Sequence, residues 1–235
     1  MILPYVELNL FTFAKISLIM RIINIVTVLS FLALAVTSCI KHEVIPPPTN
    51  TIPLKASFVG FVNGTQIEFT QNVLGYRGFA GKTSFINPSP TPSKMIYVSE
   101  IGSAQDSRAV KLTYGALKWD AGLNAEPNLS MFNDFHSANS GIVLPFKDYN
   151  SLINLEGDGV QVEYTDQNGL VWISRESDLG QTTKFLVKKQ ASDNTGDYTL
   201  FECSFSCKVW RVDPQTQEQL SLNLNNAKLN AWFKR

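Results

Sequence analysis

Two spacings of apolar residues divide this chain. Ile22, Ile23, Ile25, Val26, Val28, Leu29, Phe31, Leu32, Leu34 and Val36 crowd into one nearly continuous run. From Leu54 onward apolar and polar residues alternate instead, the period-two pattern of strands that bury one face. Ala56, Phe58, Gly60 and Val62, then Asn63-Gly64, then Ile67 and Phe69 predict a β-hairpin, because Asn-Gly accepts the positive φ values of a type I′ turn. A second hairpin is expected from residues 160–164 and 170–173 around Asp166-Gln167-Asn168-Gly169. A third is expected from residues 197–212 and 219–224 around Asp213-Pro214-Gln215-Thr216. Residues 95–99, 109–117, 183–188 and 228–233 are further strands. Helical spacing occurs once, over residues 128–137, with Leu129, Phe132 and Phe135 on one side. About eight to ten short strands predict an all-β domain, an antiparallel β-sandwich with at most one short helix. Its long loops would fall at residues 84–94 and 120–128.

The first run reads as an export signal. Arg21 precedes it and small residues end it, the order of charged, apolar and cleavage regions in a secretory leader. Its last four residues, Val36-Thr37-Ser38-Cys39, resemble the lipobox of bacterial lipoprotein precursors. That resemblance implies cleavage before Cys39, a diacylglycerol on its sulfur and usually an acyl chain on its nitrogen. Two or three such chains anchor a protein stably, at about 0.8 kcal/mol per buried methylene, where a single chain is marginal. An uncleaved signal anchor is the alternative, although the run lies at the short end of what spans a bilayer. Glu7 and Lys15 interrupt the stretch before it, so Met20 is a candidate start and residues 1–19 a candidate mis-assigned extension. No Asp follows Cys39, and in the sorting rule for such lipoproteins an Asp there favours the inner membrane. Outer-membrane placement is therefore expected, with the periplasmic or surface face open.

The expected organisation is a signal over residues 1–38, a lipidated Cys39 with a Pro-rich tether through residue 53, and a single domain over residues 54–235. Pro46-Pro47-Pro48 and Pro53 give the tether a polyproline character, rising about 3.1 Å per residue, or leave it a leader without a spacing role. Beyond the signal there remain 19 acidic and 18 basic side chains, and the cations are scattered rather than striped. This argues against a nucleic-acid partner and against electrostatic recruitment to headgroups.

Candidate chemistry is sparse. Cys203 and Cys207 lie four apart on a predicted strand, about 13 Å along it, whereas a disulfide needs Cα atoms within about 7 Å. They are expected as buried thiols on an inward face with Phe201, Phe205 and Val209, a disulfide across a bulge being the alternative. His42 and His136 are the only imidazoles, too few for a zinc site with these thiols, and no metal or cofactor is expected. The acidic stretches at residues 156–159 and 193–197 are candidate calcium loops but read better as turns. His136, beside Asp134 and Ser137, is the one candidate general base, and no Gly-x-Ser-x-Gly elbow accompanies it. No catalytic residue is assigned. The tryptophans Trp119, Trp172, Trp210 and Trp232 fill a core or, if exposed, stack on sugar rings. Trp119, at a strand–loop junction, and Tyr114 are the candidate ligand-binding residues.

Val62-Asn63-Gly64, the segment Gly159-Val160-Gln161-Val162-Glu163-Tyr164 with Asp166, Gly169 and Trp172, and Phe205-Ser206-Cys207-Lys208-Val209-Trp210 resemble small all-β lipoproteins of unknown function from Gram-negative bacteria. The resemblance implies an envelope protein and carries no catalytic residue. The expected function is that of a lipid-anchored, non-catalytic binding module for a glycan, peptide or surface partner. A structural or assembly subunit of an envelope complex is the alternative, and a hydrolase with a site not visible in sequence comes third.

Overall fold

The computed structural model describes residues 20–21, 23–27, 51–149 and 157–235. The chain falls into two compact units, Met1–Thr49 and Asn50–Arg235. In the first, residues 23–27 are helical, with Ile23, Ile25 and Val26 exposed. The remainder of the expected signal, the lipobox, Cys39, His42 and tether residues 40–50 lie outside the described residues, as does Glu156. Among the described residues no helix is long and apolar enough to cross a membrane.

The second unit is all-β and antiparallel. Its strands are β1 (Ser57–Val62), β2 (Thr65–Thr70), β3 (Tyr76–Phe85), β4 (Ser93–Ser103), β5 (Ala109–Trp119), β6 (Gly159–Thr165), β7 (Val171–Ser174), β8 (Thr182–Asp193), β9 (Gly196–Val212) and β10 (Gln219–Lys234), with one helix, Leu129–Ala138, between β5 and β6. The layers of the expected sandwich are two halves of one sheet that curls over, ordered β2-β1-β10-β9-β7-β6-β5-β4-β3. β10 thereby meets β3 and β4 across the core.

Local chemistry forms the hairpins as expected. Asn63 and Gly64 take φ 47° and 85° between β1 and β2. Asp166 Oδ1 accepts from the N–H groups of Asn168 and Leu170, and Asp213 Oδ1 from those of Gln215 and Thr216. Residues 219–224 and 228–233, separate in the alternation, are one strand, β10, carrying a bulge between Leu224 and Ala227 with Asn226 at φ 48°.

β3 has no counterpart in the hydrophobic pattern and occupies the start of the expected loop at 84–94. Small residues hide it, because Gly78 and Ala80 occupy positions where a strand ordinarily shows large apolar side chains. The Trp232 ring fills that space instead, and a Cβ on Gly78 would lie 2.2 Å from Trp232 Cη2 and 2.8 Å from Ala56 Cβ.

One edge of β9 is shared. Its residues 209–210 pair with β7, and the stretch from Ser206 back to Gly196 pairs with β8. The free edge of β8 is covered by the chain that leaves the helix. Ser140 Oγ accepts from Val187 N, Gly141 N–H donates to Phe185 O, and Leu144 N–H donates to Thr183 Oγ1. Asn128 caps the helix, its Oδ1 accepting from Met131 N at 2.9 Å.

Gly78→Ala should cost about 1–3 kcal/mol by overpacking against Trp232. Gly81→Ala, on the same strand with no atom within 4 Å of its added Cβ, should be neutral or stabilising by up to about 1 kcal/mol. Urea unfolding of the two variants beside the parent checks the contrast.

Candidate functional site

The structure relocates the two candidate ligand-binding residues. Trp119 is 3% exposed and Tyr114 fully buried, so neither is available to stack on a sugar. Trp119 ends β5, but the turn at residues 120–124 folds back over it and Asn124 O accepts its indole N–H at 3.0 Å. Tyr114 stacks between Phe135 at 4.8 Å and Phe185 at 4.9 Å, measured between ring centroids.

His136, the candidate general base, is walled in by aromatic rings, with Phe132, Tyr97, Phe233 and Tyr114 at 4.4, 5.1, 5.2 and 5.3 Å. Its Nδ1 lies 2.7 Å from Phe132 O. A carbonyl only accepts, so Nδ1 carries the hydrogen and Nε2 is left as a bare acceptor without a partner among the described residues. Desolvation drives its pKa down from 6.5 to about 4, against the opposing bond to Phe132 O. The ring is therefore neutral core.

Cys203 and Cys207 are free and buried on the inward face with Phe201, Phe205 and Val209, as strand parity predicts. Desolvation raises Cys203 to about 12 and raises Cys207 in the same way, so neither is a nucleophile at neutral pH. Among the described residues no group of three or more His, Cys, Asp or Glu is gathered for a metal.

The described acidic residues Asp193 and Asp158 accept hydrogen bonds from within the domain. Asp193 accepts from Ile52 N at 2.8 Å and from Thr195 N and Oγ1 at 2.7 and 2.6 Å. These donors, Ile52 first, hold its carboxyl down at about 2. Ile52, assigned to the tether in sequence, is thereby docked on the domain and packs against its core. Asp158 accepts from Asn139 Nδ2 at 3.1 Å.

What remains on the surface is Trp210. Three of the four tryptophans are buried and Trp210 is partly exposed. It lies on the outer face of β9, directly opposite Ile173 of β7. Its indole N–H donates to Asp178 Oδ2 at 2.6 Å. Arg175 stands over its ring at 4.6 Å and Lys208 at 5.3 Å, while Arg211 stands over Trp172 at 5.4 Å. Val171 and Val212 beside it are 45% and 48% exposed, and Leu170 is 38% exposed.

The groove follows from the topology. β7 has four residues and pairs with β9 only at Ile173–Trp210 and Ser174–Val209, so the two strands are unpaired beyond Trp210, toward Val171 and Val212. The opening, about 430 Å³, is bounded by Val171, Ile173, Arg175, Trp210 and Val212, with Asp148 at its margin. The indole is thus fixed at its N–H by Asp178 and covered by a guanidinium, amid exposed aliphatic side chains. Sequence inspection noted Trp210 only as one aromatic among several. Parity would have selected it, since Val209 faces inward and its neighbour must therefore face out.

Comparison with protein-family models, with curated proteins and with solved structures finds no match.

Burial of neutral His136 has a measurable consequence. The folded pKa, about 4, lies below the ordinary 6.5, so between those values the unfolded chain binds a proton that the folded chain refuses. Stability should fall as pH falls from 6.5 toward 4, by up to about 1.4 kcal/mol per pH unit. In His136→Leu this part of the slope should vanish, as measured by urea unfolding across that pH range.

Proposed function

We propose that this chain is a lipid-anchored cell-envelope protein, placed at the outer membrane, whose folded domain is a non-catalytic binding module. Its contact surface is the Trp210 groove and its partner a protein. The anchoring half of the reading is supported by the apolar run ending in Val36-Thr37-Ser38-Cys39. The binding half is carried by one observation, the partly exposed Trp210 under Arg175 and beside exposed Val171 and Val212.

A glycan partner is less well supported. Sugar stacking requires a free aromatic face, whereas the guanidinium of Arg175 already covers one face of Trp210 and Trp119 lies in the core. The exposed aliphatics Leu170, Val171 and Val212 also suit a subunit held permanently in an envelope complex. That second reading uses the same surface and differs in how long the partner stays.

Photo-crosslinking residues introduced at Val171 and Val212 in the full chain should give discrete protein adducts in intact envelopes, and one at Gly81, on a different strand, should not. Trp210→Ala should weaken capture by about 2 kcal/mol, roughly thirtyfold in Kd, while leaving the folded domain's unfolding curve nearly unchanged. Equal crosslinking at all three positions would count against the groove. Cys39→Ala should move the protein out of the membrane fraction, and retention there would count against the anchor.

A further inference from the structure

The outer face of β8, β9 and β10, away from the Trp210 groove, carries a different chemistry. Strand pairing sets Lys184, Ser204 and Lys228 in one row across the three strands, with Ser204 opposite both lysines. At roughly 4.8 Å per strand the two lysine Cα atoms stand about 10 Å apart, a span their long side chains close from either side. The next row places Thr182 opposite Ser206. There the bulge of β10 turns Asn226 toward β9, and Asn226 N–H donates to Ser206 Oγ at 3.0 Å. That bond occupies the oxygen of Ser206 as an acceptor and leaves its hydroxyl hydrogen to donate outward.

The result is a hollow of about 310 Å³ whose polar lining is supplied by Thr182, Lys184, Ser204, Ser206, Asn226 and Lys228, with no carboxylate. Lys184 forms no ion pair with another described residue. Glu202, one row along β9, is already shared between Lys188 at 3.2 Å and Lys228 at 3.5 Å. Glu68, the next acid along the Lys184–Ser204–Lys228 row, lies beyond Val59, two strands from Lys228.

We infer that this hollow binds a phosphate-type oxyanion, its charge between Lys184 and Lys228 and its oxygens on the Ser204 and Ser206 hydroxyls. The ligand is a free phosphate group or the phosphate of a lipid headgroup, since both present the same oxygens. Solvent exposure of the lysines makes the affinity weak and salt-sensitive.

Titrating inorganic phosphate into the isotope-labelled full chain in a neutral detergent, with backbone amide shifts as the readout, tests the site. Saturable shifts clustered on residues 182–184, 204–206 and 226–228 are expected in the millimolar range, weakened at least roughly tenfold in the double variant Lys184→Met, Lys228→Met. Non-saturating shifts, shifts spread over every lysine-bearing surface, or unchanged binding in the double variant would overturn the inference. The same chain in nanodiscs of anionic phospholipid and of zwitterionic phospholipid then separates the sources. Shifts of these residues only in the anionic discs identify the headgroup as ligand, and shifts only on adding soluble phosphate identify the free ion. The Trp210 groove plays no part in this experiment, so its outcome leaves the proposed function untouched.

Discussion

Size complementarity between the inner faces of β9 and β10 is the constraint from which the rest of the domain follows. Phe201 lies opposite Ala231, Cys203 opposite Leu229, Phe205 opposite Ala227 and Cys207 opposite Leu224. Large meets small at each successive inward pair, so the two inner faces complement each other in size. The thiols act here as small apolar volumes, an alanine-sized gap being too little against leucine and a phenylalanine too much. Because both strands are long, 17 and 16 residues, the interlocked pair forms a spine that must bend, and the bulge at Asn226 lets it do so. The β1–β2 hairpin on one flank, and β7 and β8 on the other, take their register from it.

A spine of that length also creates the domain's main difficulty. Two shorter strands divide one edge of β9, and a sheet that branches leaves an open edge and a gap. The Leu129–Ala138 helix and the chain after it resolve both, capping the backbone of β8 and filling the space with Phe132, Phe135 and His136. A histidine in such a place is buried with an Nε2 that has no partner among the described residues, a cost offset by the packing of rings around it. On the outer surface the short β7–β9 pairing ends at Trp210, and the groove opens beside it.

Much of this was legible in the sequence. Asn63-Gly64, Asp166 to Gly169 and Asp213 to Thr216 announced three hairpins because turn chemistry is local. The inward placement of Cys203 and Cys207 followed from parity alone. β3 was not legible, since at Gly78 the space a large side chain would need is taken by Trp232, more than a hundred residues away in sequence. Trp119 misled for the related reason that position at a strand end does not reveal that the next turn folds back over it. The groove was half legible: parity orients Trp210 outward, but its companions Val171 and Val212 come from strands whose meeting is a fact of topology.

The hydrogen bond from Ile52 to Asp193 pins the first residues of the domain to one end of its longest strand. It fixes the point of entry at the β8–β9 turn, beside Gly196, where β9 begins. Trp210 lies fourteen residues further along that strand, roughly 45 Å of contour at about 3.3 Å per residue. The docked Ile52 and the Trp210 groove therefore lie toward opposite ends of β9, so a substitution that frees Ile52 leaves the groove's own contacts in place.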